Sequence, residues 1–182
     1  DKFIAQSEDG WLLGDEEWVQ CAGGAAELLS KLTPNKEGRV VKVDLTGCTD
    51  MKELPASVGR LQALELLSLG RCESLTSLPA GLGGLQELEV LDLGQCSGLT
   101  SLPAELGGLQ ALRKLDICYC KGLTSLPAGL GGLQALETLD LTHCTDLTSL
   151  PDLSGLEKLE VANLPNELKP WEEGGRKAFA LG

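Results

Sequence analysis

The sequence predicts an α/β solenoid, and three observations carry that reading. Five cysteines stand 24 residues apart, at Cys48, Cys72, Cys96, Cys120 and Cys144. The chain between them nearly copies itself: LELLSLGRCESLTSLPAGLGGLQE, from Leu64, is followed by LEVLDLGQCSGLTSLPAELGGLQA, from Leu88. No single frame has room to bury its own leucines, whereas stacked frames cover one another, which is the physical meaning of a fixed period in the twenties.

The frames begin at Val40, Leu64, Leu88, Leu112 and Leu136, with a degenerate sixth at Leu159. Each opens with apolar residues at its first, fourth and sixth positions, for example Leu88, Leu91 and Leu93. The last two alternate with polar residues, as in a strand with one buried face. Strands of successive coils then pair in parallel about 4.8 Å apart, so about six strands make a sheet roughly 25–30 Å across. The return segment PAGLGGLQALE places Pro79 at a first helical position. Its paired glycines discourage a long helix, which predicts short helical or 3₁₀ segments on the outer side.

Residues 1–37 read as an N-terminal helical cap, residues 38–164 as the solenoid and residues 165–182 as a C-terminal cap or tail. Asp15 is placed to cap a helix with Trp18, Val19, Ala22, Ala26, Leu29 and Leu32 on its apolar side, broken by Gly23 and Gly24. Trp11 and Trp18 are expected on the first coil, and Lys31 to Gly38 as the connecting turn. After Leu164 the pattern stops; Trp171 is expected over the last coil, and Arg176 to Leu181 as a closing helix.

The frame resembles that of the leucine-rich-repeat family, L-x-x-L-x-L-x-x-N/C-x-L, over about Gly38 to Leu164. That resemblance implies a right-handed, horseshoe-shaped solenoid whose parallel sheet lines the concave side. Two residues, Glu73 and Ser74, separate Cys72 from the next leucine. The combination C-x-x-L-x-x-L-P-x-x-L-G-x-L is similar to the repeats of plant-type intracellular immune receptors. Such receptors carry a nucleotide-binding domain and this chain holds no P-loop, so on that resemblance it is not the whole of one, and the sensor region of a larger signalling protein is an alternative reading.

In the family the ninth-position residue lies buried in the turn after the strand. Cysteine fits there because it is small, tolerates burial and carries a weak S–H donor. The five ninth-position cysteines are therefore read as a structural ladder, with no metal and no disulfide: the sulfurs form a row without C-x-x-C pairs, and in-register side chains point the same way. Cys21 and Cys118 lie outside it.

Composition narrows the function. The net charge of −12 opposes nucleic-acid binding through phosphate neutralisation. Residues 1–37 alone carry eight acidic and three basic residues, which reads as charge for solubility or as a handle for a basic partner. No apolar run reaches the length of a membrane span. Seven cysteines without an evident pairing point to an intracellular reducing compartment, cytoplasm or organelle interior, with room for a removed targeting peptide. No catalytic constellation, phosphate loop or cofactor motif is present, so no catalytic residue and no cofactor is assigned; GLGGL is a packing feature.

The remaining candidates lie on the sheet face. The fifth-position column is Asp44, Ser68, Asp92, Asp116 and Asp140; the eighth is Gly47, Arg71, Gln95, Tyr119 and His143. Aspartates on neighbouring strands repel, which a cation or basic partner would relieve; Lys42, Arg71, Arg113 and Lys114 are the screening cations at hand. Tyr and Arg are common interface anchors. Arg71, Asp92, Gln95, Asp116, Tyr119, Asp140 and His143 are accordingly the expected partner-binding residues of a non-enzymatic module. The alternative is a structural or linker subunit held permanently in a large complex.

Overall fold

The computed structural model describes residues 8–159 and 161–163. Its sheet has seven strands in sequence order: β1 (Leu32–Pro34), β2 (Val40–Asp44), β3 (Leu66–Ser68), β4 (Val90–Asp92), β5 (Lys114–Asp116), β6 (Thr138–Asp140) and β7 (Val161–Asn163). From β2 to β7 every pairing is parallel; from β2 to β6 the register follows the 24-residue frame, so that Lys42, Leu66, Val90, Lys114 and Thr138 stand side by side, and the last step, Thr138 to Val161, is one residue shorter. The strands are short because the backbone turns immediately after the fifth position. Pairing nevertheless runs on through the turn: the sixth- and eighth-position N–H groups donate to the next coil, as Leu69 does to Asp92 and Arg71 to Gly94, each at 2.8 Å.

The leucines at the first, fourth and sixth positions fill the space between the sheet and the return segments; Leu88, Leu91, Leu93, Leu106 and Leu109 are fully buried. Each such side chain contributes about 1.5–3 kcal/mol of burial. The return segments are 3₁₀ turns at Ala56–Arg60, Ala80–Gly84, Ala104–Gly108 and Ala128–Gly132. Proline stands one residue before the turn rather than inside it: Pro79 keeps an extended ψ of 145°, and its carbonyl accepts the Leu82 N–H at 3.1 Å. Paired glycines bring these turns into backbone contact. A Cβ on Gly107 would lie 2.6 Å from the Gly129 carbonyl oxygen. Glutamine side chains lace the same turns together, Gln86 Nε2 donating to the Gly108 carbonyl at 3.1 Å and Gln134 to that of Gly155 at 3.1 Å.

The N-terminal end departs from expectation in two places. Lys31 to Gly38 is not only a connecting turn: Leu32–Pro34 runs antiparallel to β2 and covers its edge. The hairpin is closed by Asn35, whose side-chain oxygen accepts from the Glu37 and Arg39 N–H groups, both at 3.0 Å. The helix does break at the glycine pair, into α1 (Glu16–Ala22) and α2 (Ala25–Ser30). The break resets the helical phase, so Leu28 is the buried residue of α2, while Ala26 is exposed and Leu29 half-buried.

Asp15 caps α1, accepting from the Glu17 and Trp18 N–H groups, a contribution of about 1 kcal/mol. Its other oxygen accepts from the Ser57 hydroxyl, which in turn accepts from the Trp18 indole N–H, both at 3.0 Å. Trp18 is fully buried, and the Arg60 guanidinium lies 4.0 Å over the Trp11 ring. Both partners, Ser57 and Arg60, belong to the first coil. At the other end, Trp171 and Arg176 to Leu181 lie outside the described residues.

Candidate functional site

The ninth-position cysteines are where the turn meets the core. Cys72, Cys96, Cys120 and Cys144 are fully buried, and each thiol donates to the sixth-position carbonyl of the preceding coil: Leu45 at 3.3 Å, Leu69 at 3.1 Å, Leu93 at 3.1 Å and Ile117 at 3.0 Å. The bond crosses from coil to coil and satisfies a donor that burial would otherwise leave unpaired. Burial pushes the Cys96 and Cys144 thiols up to about 11 and Cys72 up to about 12. Cys48, on the first coil, has no coil before it and lies half-buried beside Lys31. All seven thiols are free. Cys21 sits on α1 against the first coil, donating to the Glu53 carbonyl at 3.5 Å, with its thiol pushed up to about 11, first by burial and then by Cys48.

The fifth-position aspartates do structural work that their spacing alone did not reveal. In each, Oδ1 accepts the N–H two residues on: Asp44 from Thr46 at 3.2 Å, Asp92 from Gly94 at 2.9 Å, Asp116 from Cys118 at 3.1 Å and Asp140 from Thr142 at 2.9 Å. This is the local turn for which Asp is favoured. It pulls the chain off the sheet, and the signal was the recurrence of Asp at the last strand position. Two of the screening cations act within their own strands, Lys42 Nζ at 3.8 Å from Asp44 and Lys114 Nζ at 3.9 Å from Asp116. Burial would raise the Asp44 carboxyl, but the Thr46 bonds together with Lys42 and Lys31 hold it below the usual carboxylate range.

Arg113 does not screen the column. It lies one row away, forming a two-pronged pair with Glu137 at 3.0 Å through Nε and Nη2 and reaching Glu89 at 4.0 Å. Cys118, half-buried, stands among the aspartates; burial and its hydrogen bond to the Asp116 carboxylate push its thiol up to about 12.

The eighth-position column crowns the turn. Arg71, Gln95, Tyr119 and His143 are exposed and adopt φ of 62°, 64°, 59° and 60°, where the first coil has Gly47 at 78°. The conformation is imposed by the turn, because the eighth-position N–H must reach the next coil; Tyr119 donates to the Thr142 carbonyl at 2.8 Å. The Tyr119 and His143 rings stack with centroids 4.4 Å apart and planes tilted by 33°. Tyr119, 42% exposed, is the large exposed hydrophobic side chain among the described residues. The structure thus brings Tyr119 and His143 together on adjacent coils, places Arg71 and Gln95 in the same row toward the N-terminus, and sets Asp92, Asp116 and Asp140 three residues earlier on three adjacent strands.

No helix among the described residues is long and apolar enough to cross a membrane. No protein-family model matches the chain, and no curated protein matches it. Among solved structures it is similar to the leucine-rich-repeat domain of the type III effector XopL, at 31% identity and a TM-score of 0.53, over 65% of this chain and 40% of that one. The chain therefore spans well under two thirds of that relative. It is also similar to a chain of the BIR3–SERK2 complex from Arabidopsis thaliana (24% identity, TM-score 0.47, 63% of this chain and 62% of that one). A third likeness is to the ectodomain of the receptor kinase SOBIR1 from Arabidopsis thaliana (17% identity, TM-score 0.45, 83% and 93%). With its own coils repeating every 24 residues around a sequential parallel sheet, and a 31%-identical leucine-rich-repeat domain sharing that architecture, this chain has the leucine-rich-repeat solenoid fold.

Proposed function

We propose that the chain is a non-enzymatic protein-binding module that engages its partner through the sheet face, centred on Tyr119 and His143 and flanked by Arg71, Gln95, Asp92, Asp116 and Asp140. One observation carries this. Four successive exposed side chains occupy a left-handed backbone conformation that costs a non-glycine residue about 1–2 kcal/mol. Glycine, as at Gly47, would remove that cost, and exposed side chains return nothing to the core. Side chains kept there against the backbone's preference support a use outside the fold. Two stacked aromatic rings and an arginine in one row match the chemistry of interface anchors.

The test compares the immobilised chain with its Tyr119→Ala/His143→Ala double variant against a native extract. Both substitutions fall on exposed positions, so melting temperatures are expected to agree within about 2 °C. The partner retained by the wild type should be lost by the double variant. A partner retained equally by both places binding elsewhere and overturns the reading.

A further inference from the structure

We propose that Cys21 and Cys48 form a dithiol site that a small disulfide such as glutathione disulfide oxidises, closing a reversible bridge between the N-terminal cap and the first coil. Cys48 is the exception in its row. The other four ninth-position thiols each donate to a carbonyl of the preceding coil, whereas Cys48 has the cap in that place. Cys21, on α1, is the cysteine of the cap. Both line one cleft of about 560 Å³, walled by Gln20, Glu27 and Lys31 on the cap side and by Met51 on the first coil. A cleft of that size lies within the range of roughly 300–1,000 Å³ that admits a small molecule. Both thiols are half-buried and free, unlike the fully buried thiols of the later coils.

The two sulfurs stand within reach of each other's charge: the Cys21 thiol is pushed up to about 11, first by burial and next by Cys48. A bridge needs Cβ atoms about 3.5–4.5 Å apart. Cys21 lies in the last turn of α1, next to the Gly23–Gly24 joint, so the closing adjustment is a local one. Burial also raises the Cys48 thiol, but Lys31 opposes that push, while Glu17 and Asp15 add to it at Cys21. Cys48 is therefore the thiol that ionises first and attacks.

The Cys48 thiolate attacks one sulfur of glutathione disulfide. A Cys48–glutathione mixed disulfide forms, and the departing glutathione thiolate takes up a proton. Cys21, deprotonated in turn, attacks the Cys48 sulfur and expels the second glutathione thiolate, which is protonated likewise. The two cysteines are oxidised to one disulfide, and one glutathione disulfide is reduced to two thiols. Because both protein thiols ionise above the ordinary range, exchange is slow at pH 7 and quickens toward pH 9.

The test incubates the reduced protein with glutathione disulfide at pH 8, followed by alkylation and peptide mapping without reductant. The tryptic peptides 3–31 and 43–52 each hold one cysteine and are expected joined, two hydrogens lighter than their sum, in a chain that runs as a monomer. Cys96 should stay unmodified as the internal control. Melting temperature should rise by about 5–10 °C on oxidation and fall back with reductant. Cys21→Ala should accumulate the glutathione adduct on peptide 43–52, and Cys48→Ala should accumulate far less on peptide 3–31. Glutathione adducts without the joined peptide, a bridge between two chains, or no reaction at either cysteine while the wild-type protein stays folded each overturn the proposal. Equal adduct on the two variants overturns Cys48 as the attacking thiol.

Discussion

Replacing Gly107 by alanine tests how the coils are held together on the side opposite the sheet. A Cβ there would lie 2.6 Å from the Gly129 oxygen and 2.9 Å from both its carbonyl carbon and its Cα. All three are backbone atoms of the next coil, so no side chain can rotate away. Ordinary contact needs about 3.4 Å or more between carbons, so the two 3₁₀ turns must separate by several tenths of an ångström. Overpacking of this kind costs about 1–3 kcal/mol, offset in part by about 0.4–1 kcal/mol from the stiffer unfolded chain. The net loss is about 1–2 kcal/mol, a fall in melting temperature of about 2–8 °C for a chain of this size. Gly84 is the control. It occupies the second place of the same glycine pair in another coil, with nothing within 4 Å of its Cβ and no left-handed φ, so Gly84→Ala should melt at or slightly above the wild type. Thermal melts followed by far-UV circular dichroism decide the matter. Equal melting of the two variants would refute backbone contact as the reason for the glycine pairs.

Two further predictions follow from the turn. The Cys72, Cys96 and Cys144 thiols ionise in the fold only near 11 to 12, against about 8.5 when unfolded. Their contribution is complete below the unfolded value and is lost as pH climbs through the folded one, at on the order of 4 kcal/mol per pH unit for three thiols. Urea titrations in reductant should show stability collapsing between pH 9 and 11, less steeply in Cys96→Ala; a flat profile up to pH 10.5 would contradict the buried ladder. At Gln95, with φ of 64°, glycine should be neutral or slightly stabilising, whereas valine should cost about 1–2 kcal/mol more, read from urea midpoints. Equal midpoints for the two would remove the strained turn.

The coil was legible because its period is written twice, in the cysteines and in the leucines. Leu88, Leu91 and Leu93 recur wherever a side chain must face inward, and burial leaves no freedom to vary them. The face that carries the candidate site followed from the same frame, since successive strand residues alternate sides. What escaped was set by backbone geometry or by contacts distant in sequence. The second hairpin strand rests on Asn35, whose capping of two N–H groups looks from sequence like any polar turn residue. The phase of α2 depends on the angle at Gly23 and Gly24, with φ of 88° and 131°, which periodicity cannot carry across. The aspartates were read as charges, while their Oδ1 atoms serve as turn acceptors. The left-handed φ of the eighth column was hidden because only Gly47 has the residue type that announces it.

That column also shows how one chain can separate what folds it from what it presents. Coils of a solenoid are repeated answers to the same local problem, so a position under one structural demand should hold one residue type in every coil. The ninth position does: each full coil has cysteine, and four of the five thiols bond the coil before. The outer glycines and glutamines recur for the same reason, as LTSLPAGLGGLQ, present twice without change, illustrates. The eighth position is under an equally uniform demand, a left-handed φ in all five coils, to which glycine is the cheapest solution. Yet it holds Gly47, Arg71, Gln95, Tyr119 and His143, five different residues in five coils. A shared backbone requirement met by five unlike side chains is what a surface carrying information about a partner requires. The same diversity at a buried position would have disordered the stack.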